Sequence, residues 1–293
     1  MSESNAAMIG DVADTARWVA YFRALESERP DRLFHDPFAR ALAGTRGRAI
    51  AEALPKGPLS WSLAVRTRAF DELILDAIRD GVRIVLNLAA GLDTRPYRLS
   101  LPADVRWIEA VFPSILDLKD AALSRERPNC EVERVPVDVT DRKGRVGLFE
   151  RVGASGETSG ERVLVVTEGL LVYLEPDVVA SLADDLHRLP KSQWLLEMIA
   201  PLVLARQKRL WGRALRPARA EHKFAPPEGL AFFASHGWTP SVTRALLDEA
   251  QRLRREMPMA WLVHLGARFA PARYDRLRRA VLYAVMRDSA AGS

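Results

Sequence analysis

Four short apolar runs each break off at polar residues, and those residues define the chemistry the chain can support. Arg83–Leu88 leads into Ala89-Ala90-Gly91-Leu92-Asp93-Thr94-Arg95, and Val105–Glu109 ends on its own acid. Val132–Val137 leads into Asp138-Val139, and Arg162–Thr167 into Glu168-Gly169-Leu170. In an open parallel sheet, ligands bind beyond the carboxyl ends of the strands, where the strand order reverses. Small residues at 89–91 let a ligand approach the backbone, and Asp93 and Thr94 add polar contacts. An acid such as Glu109 suits ribose hydroxyls, Asp138 suits the exocyclic amine of adenine, and Glu168 would stand above the same crevice. The first turn is neither G-x-G-x-x-G nor a Walker loop, which disfavours a dinucleotide or a nucleoside triphosphate. Taken singly, each acid reads more readily as a helix cap or a solvated loop residue. Four polar strand ends in succession read as a nucleoside-type site.

The elements that must position these residues follow from periodicity. Before residue 80 the pattern is helical. Asp14 or Thr15 caps a helix through Trp18, Val19, Phe22 and Leu25, and a second helix runs from near Ser60 through Leu63, Phe70, Leu73, Ile74 and Ile78 to Gly81. Beyond residue 82, strands alternate with helices: one helix from Pro113 to about Arg125, another over about Pro176–Leu189, and a fifth strand over Gln193–Glu197. That alternation implies parallel pairing and a three-layer α/β sandwich. Val152–Gly160, rich in Gly and Ser, reads as an exposed flexible loop. The spacing predicts an arginine-rich helix in Ala200–Phe224, a helix over Gly229–Gly237 leading into Trp238, and a last strand over Ala280–Met286, antiparallel at the sheet edge.

Composition narrows the function. The chain has 293 residues, 48% hydrophobic and 28% charged, which are ordinary globular values. One cysteine, Cys130, excludes an intramolecular disulfide and a multi-cysteine metal site, as suits a reducing cytoplasm. Met1–Ala7 lacks the basic head and apolar stretch of a secretory signal, and Val163–Leu174 falls short of the ~20 residues of a membrane span. The net charge of +5 comes from arginines spread along the chain and interrupted by acids. They read as a solvated basic surface, with no concentrated stripe for nucleic acid. The five histidines, His35, His187, His222, His236 and His264, sit in no motif that demands a catalytic base and read as structural.

Several runs carry a family resemblance: Trp18-Val-Ala-Tyr-Phe-Arg-Ala24, Phe34-His-Asp-Pro-Phe-Ala39, Val65-Arg-Thr-Arg-Ala-Phe-Asp71, Leu88-Ala-Ala-Gly-Leu-Asp-Thr-Arg95, Phe112-Pro113 with Lys119, Val137-Asp-Val139 and Glu168-Gly-Leu-Leu-Val-Tyr173. In these the chain resembles the leucine carboxyl methyltransferase-like family of S-adenosylmethionine-dependent O-methyltransferases, in particular bacterial members acting on polyketides and other small molecules. The resemblance implies a class I methyltransferase (Rossmann-like) three-layer sandwich with a mostly parallel seven-stranded sheet. It further implies an N-terminal helical cover over residues 1–80 and a core over 81–293, with a lid-like insertion near 200–225, all in one compact unit. Carried over by motif, Arg66 pairs with the methionine carboxylate of the cofactor, Ala89, Gly91 and Asp93 form the turn beneath it, and Asp138 and Val139 lie against adenine. Glu168 stands near the amino group or the reacting end, and Tyr173 positions the acceptor.

One departure stands out. Where the family has an acid that holds the ribose hydroxyls, the run Glu109-Ala-Val-Phe-Pro113 has Val111. A lost charged hydrogen bond of this kind costs about 1.5–3 kcal/mol unless Glu109 or water compensates. The expectation is therefore a cytoplasmic S-adenosylmethionine-dependent methyltransferase of a small acidic or phenolic acceptor, with no metal, nucleic-acid or membrane partner and a homodimer left open. The alternative is a methyltransferase scaffold that has lost methyl transfer and binds a ligand or catalyses something else.

Overall fold

A computed structural model of the chain describes residues 9–54, 59–218 and 220–289. Met1–Ala7, read above for a secretory signal, and Arg219 of the basic segment lie outside these residues. The four apolar runs form parallel strands: β1 Val82–Leu88, β2 Arg106–Val111, β3 Glu131–Pro136 and β4 Arg162–Thr167, joined by β5 Ser192–Ile199. β1, β4 and β5 are almost wholly buried on both faces because helices cover both. One face packs Ile84, Leu86, Val163, Val165 and Trp194 against Phe149 and Leu182. The other packs Val85, Trp107, Leu164 and Leu195 against Phe70 and Ile74.

The sheet has seven strands in the order β3-β2-β1-β4-β5-β7-β6, with β6 at Trp238–Ala245 and β7 at Val281–Asp288. The order reverses between β1 and β4, so the carboxyl ends of these strands flank the switch point. The last strand is antiparallel, as its sequence suggests, but it lies between β5 and β6 rather than at the edge. Tyr283-Ala-Val-Met286 is buried, whereas the middle of β6 is exposed and carries Pro240 at a register shift. An apolar strand belongs inside a sheet, and a polar strand with proline belongs at its edge. The β6 strand itself is absent from the sequence reading.

Helices α1 Val12–Ser27, α2 Ala39–Ala53 and α3 Leu59–Arg79 precede β1. Asp11, not Asp14 or Thr15, caps α1, its side chain accepting from the Asp14 amide at 2.8 Å. The remaining helices are α4 Arg95–Arg98, α5 Pro113–Leu123, α6 Arg142–Ser159, α7 Pro176–Asp185, α8 Pro201–Leu215, α9 Leu246–Arg252, α10 Ala260–Phe269 and α11 Pro271–Arg278. Of the expected loop at Val152–Gly160, the residues up to Ser159 are instead the last part of α6, and only Gly160 lies in a turn. A Cβ on Gly153 would come within 2.7 Å of the Arg188 carbonyl oxygen, so here glycine permits close helix packing rather than flexibility. Gly229–His236 forms a 3-10 helix.

Candidate active site at the carboxyl edge

The turn after β1 is left-handed at both Ala89 (φ 53°) and Gly91 (φ 52°). A left-handed alanine costs of order 1 kcal/mol, so the surrounding structure must impose the turn. Asp93 does much of that. Its carboxylate accepts from Asn87 Nδ2 at 2.8 Å, the Arg95 amide at 3.0 Å and Arg95 Nη1 at 2.8 Å. Burial alone would raise its pKa, but Arg95 and Lys119 hold it well below the usual carboxylate range. Asp36, from the Phe34–Ala39 motif, accepts from Arg23 at 2.9 Å and from the Thr94 hydroxyl at 2.8 Å, and so ties the cover to the turn. Asp93 is thus a positioning residue of the turn, with its oxygens already occupied.

From this turn an alternating series of charges runs along the strand ends. Arg98 pairs with Asp71 at 2.6 Å, and Asp71 with Arg95 at 2.7 Å. Arg95 then meets Glu168 at 2.7 Å, Glu168 meets Arg66 at 2.9 Å, and Arg66 meets Glu197 at 3.1 Å. Exposure rises along the series: Arg95 and Asp71 are enclosed, while the Arg66, Glu168 and Glu197 side chains keep 14–16% of their surface open. Burial would raise the Glu168 pKa, yet Arg95 and Arg66 hold it below the usual carboxylate range. For Glu197 the balance reverses: burial raises its pKa, and Arg66 only partly offsets this. The two carboxyls that share Arg66 are therefore pushed apart. Glu197 escaped the sequence reading, although the strand-end rule that picked out Glu168 finds it at the end of β5.

The second strand end differs from the expectation. Glu109 is fully buried, with one oxygen held by Lys119 at 2.8 Å and Arg134 at 3.0 Å, while Oε1 has no hydrogen-bond partner among the described residues. Burial lowers the Lys119 pKa, opposed by Glu109. Val111 is also fully buried. It packs with Ala90, Leu92 and Ile115 against Ala13, Ala20 and Leu42 of the N-terminal helices. A Cβ on Gly91 would sit 3.7 Å from the Ala16 Cβ, so α1 lies directly over the turn. Neither Glu109 nor Val111 reaches an open crevice. Val111 is a seam residue between sheet and cover, where an unpartnered acid could not be accommodated cheaply.

At the third strand end, Asp138 Oδ1 accepts from the Thr140 amide at 2.9 Å and hydroxyl at 2.7 Å, which leaves Oδ2 without a partner among the described residues. Val139 turns its side chain into the core, and its carbonyl accepts from Arg145. Tyr173 is half-buried and meets His222 edge-on at 5.0 Å, and burial raises its pKa. His222 is 8% exposed, its Nδ1 has no partner among the described residues, and burial, with Lys208, pulls its pKa down to about 4. The amides of Lys223 and Phe224 both donate to the Val172 carbonyl and hold this segment against the Glu168–Tyr173 turn. In α8, Trp211 is buried edge-on against Trp18 of α1 at 5.8 Å, whereas Arg206, Lys208, Arg209 and Arg213 face outward.

The family model of leucine carboxyl methyltransferase matches residues 16–187, the segment that holds the cover, the turn and the first four strand ends. The chain belongs to that family. A Parafrankia protein named as an S-adenosyl-L-methionine-dependent methyltransferase is 37% identical over 64% of this chain and 63% of its own length. A Streptomyces avermitilis protein of the same description is 32% identical over 76% of this chain and 82% of its own. The aligned part of a Mycobacteroides abscessus relative spans 61% of that protein, so several relatives are matched over only about three fifths of their length. A crystal structure of a Thermobifida fusca protein described as a methyltransferase superposes with a TM-score of 0.58 at 17% identity, covering 95% of both chains. That likeness shows the fold: the class I methyltransferase sheet that the leucine carboxyl methyltransferase motifs imply.

Proposed function

We propose that this chain is an S-adenosylmethionine-dependent O-methyltransferase that methylates a carboxylate, or a phenol, of a small acidic metabolite such as a polyketide. The observation that carries the reading is the open end of the charge series, Arg66 with Glu168 and Glu197, beside the left-handed turn at Ala89 and Gly91. These donors suit the two ends of the cofactor. Arg66 would take the methionine carboxylate in exchange for one of its two carboxylate partners, as a forked guanidinium can. Glu168, ionised, would meet the α-amino group, and the free Oδ2 of Asp138 would accept from the adenine amine. The middle of the cofactor is less well served, since Val111 offers its ribose no acceptor. Glu109, fully buried beside Lys119 and Arg134, does not reach the crevice to replace it.

When bound, the cofactor supplies an electrophilic methyl on a sulfonium, and the chain has to align an acceptor and exclude water. A carboxylate acceptor is ionised at neutral pH and needs no base, whereas a phenol of pKa about 10 needs one. Tyr173 would position the acceptor from one side of the Arg66 cluster. The outward cations of α8 would draw an acidic acceptor towards that edge, while Trp211 anchors the segment to the cover.

Calorimetry with S-adenosylmethionine and S-adenosylhomocysteine, followed by labelled-methyl transfer to a panel of carboxylic acids and phenols, tests this reading. Binding of both compounds and a labelled product are expected, an alkali-labile methyl ester from a carboxylate or an alkali-stable methyl ether from a phenol. Failure of either compound to bind overturns it. The second reading, a scaffold without methyl transfer, is favoured by the apolar seam at Val111, and cofactor binding with no turnover on any acceptor would select it.

A further inference from the structure

We propose that the face formed by α10 and the start of α11 docks on an anionic lipid surface, bringing the carboxyl edge of the sheet to a membrane. Met259, Trp261, Leu262, Leu265 and Phe269 are 62, 63, 44, 47 and 75% exposed, so large apolar side chains face solvent along one short helix. At 100° per residue, Trp261, Leu265, Phe269 and Leu262 fall within one 100° stripe. The opposite side, through Ala260 and Val263, faces Leu247 and Ala250 of α9, so the stripe points away from the protein.

Charge selects the occupant. Residues 252–279 hold eight arginines against Glu256 and Asp275, an excess of six that exceeds the +5 of the whole chain. Arg252, Arg255, Arg278 and Arg279 are paired with acids. Arg254, Arg268, Arg273 and Arg276 are exposed and have no ion-pair partner among the described residues. A Trp/Leu/Phe stripe bordered on its own helix by the unpaired Arg268, in a segment that carries three more such arginines, is complementary to an interface of acyl chains beneath anionic headgroups. A second copy of the chain would instead bring the same cations face to face.

The topology gives the contact a purpose. Ala245 at the end of β6 pairs with Leu282, and Val281 at the start of β7 pairs with Ile199 at the end of β5. The α9–α11 excursion therefore leaves the sheet at the edge where Arg66, Glu168 and Glu197 lie. Arg255 ties it to Glu26 and Asp31 of the cover. An amphiphilic molecule held in the bilayer would meet that edge directly.

The test is co-sedimentation of the full chain with phosphatidylcholine vesicles, with and without phosphatidylglycerol. Retention by the anionic vesicles is expected, at least about tenfold weaker on neutral ones or in high salt. Leu265→Glu with Phe269→Glu should weaken retention about tenfold or more, and Arg268→Gln with Arg273→Gln should weaken it and flatten its salt dependence. Both pairs sit on exposed positions, so thermal unfolding of the variants should match the parent. No retention by anionic vesicles, or retention unchanged by Leu265→Glu with Phe269→Glu, overturns the proposal. So does a dimer in sedimentation velocity that this same pair converts to monomer.

Discussion

Replacing Val111 with aspartate restores the family's acid at a place this chain has made dry. Without ligand, two effects add. The fully buried valine loses about 1.5–2 kcal/mol of apolar burial, and an unpaired carboxylate enters a cluster of Ala13, Ala20, Leu42, Ala90 and Leu92 at a cost of several kcal/mol. The total is about 5 kcal/mol or more, a fall in melting temperature of about 10–20 °C for a domain of this size. Val111→Ala removes only apolar contact and should cost about 1–2 kcal/mol. The buried aspartate should have a folded pKa raised above its unfolded value of about 3.9. The folded variant then binds more protons than the unfolded chain, so its deficit should narrow as the pH falls towards 4. Calorimetric unfolding at neutral and acidic pH, with and without S-adenosylhomocysteine, measures all of this. If the ribose lies against position 111, the compound should raise the melting temperature of the aspartate variant more than that of the parent, through charged hydrogen bonds worth about 1.5–3 kcal/mol each. A variant as stable as the parent without ligand would refute the dry seam. An unchanged ligand increment would refute the placement of the ribose.

Arg66→Ala should abolish measurable cofactor binding in calorimetry, while Arg142→Ala, whose side chain is mostly exposed on Asp185, should leave it within error; equal effects would remove Arg66 from the site. The folded His222 pKa of about 4 lies below its unfolded value of 6.5, so the unfolded chain takes up the proton first and stability is lost as pH falls from 6.5 towards 4. Urea unfolding should show about 2 kcal/mol lost through this residue between pH 7 and 5, and His222→Gln should remove that part of the slope. Burial pushes the Cys130 thiol up to about 11, so a thiol reagent at neutral pH should label it only as the chain unfolds; fast labelling of the native protein would contradict its enclosure.

The strand and helix alternation was legible because it is written in local periodicity: runs such as Val163–Val166 are apolar on both faces, and Pro113 and Pro176 open helices. The polar strand ends were legible for the same reason, since chain order alone puts Asp93, Glu109, Asp138 and Glu168 after successive strands. Local pattern misled where glycine was taken for flexibility. Gly153 in α6 is small because the Arg188 carbonyl is close, and that distance is set by a neighbour 35 positions away. The strand order β5-β7-β6 was equally hidden, because the sequence of an element does not state its neighbour, only whether it can bear burial on both faces. The site itself shows the same division. Sequence offered Asp93, Glu109 and Glu168 as residue types suited to a nucleoside-like cofactor, the family resemblance added Arg66, and Val111 stood out as the departure. The fold alone decided that Asp93 holds the turn, that Lys119 and Arg134 engage Glu109, that helix α1 seals Val111, and that Arg66 is shared between Glu168 and Glu197. Which partner a charge meets, and whether water reaches it, depends on surfaces brought together from distant parts of the chain. Burial and pairing of that kind belong to tertiary structure.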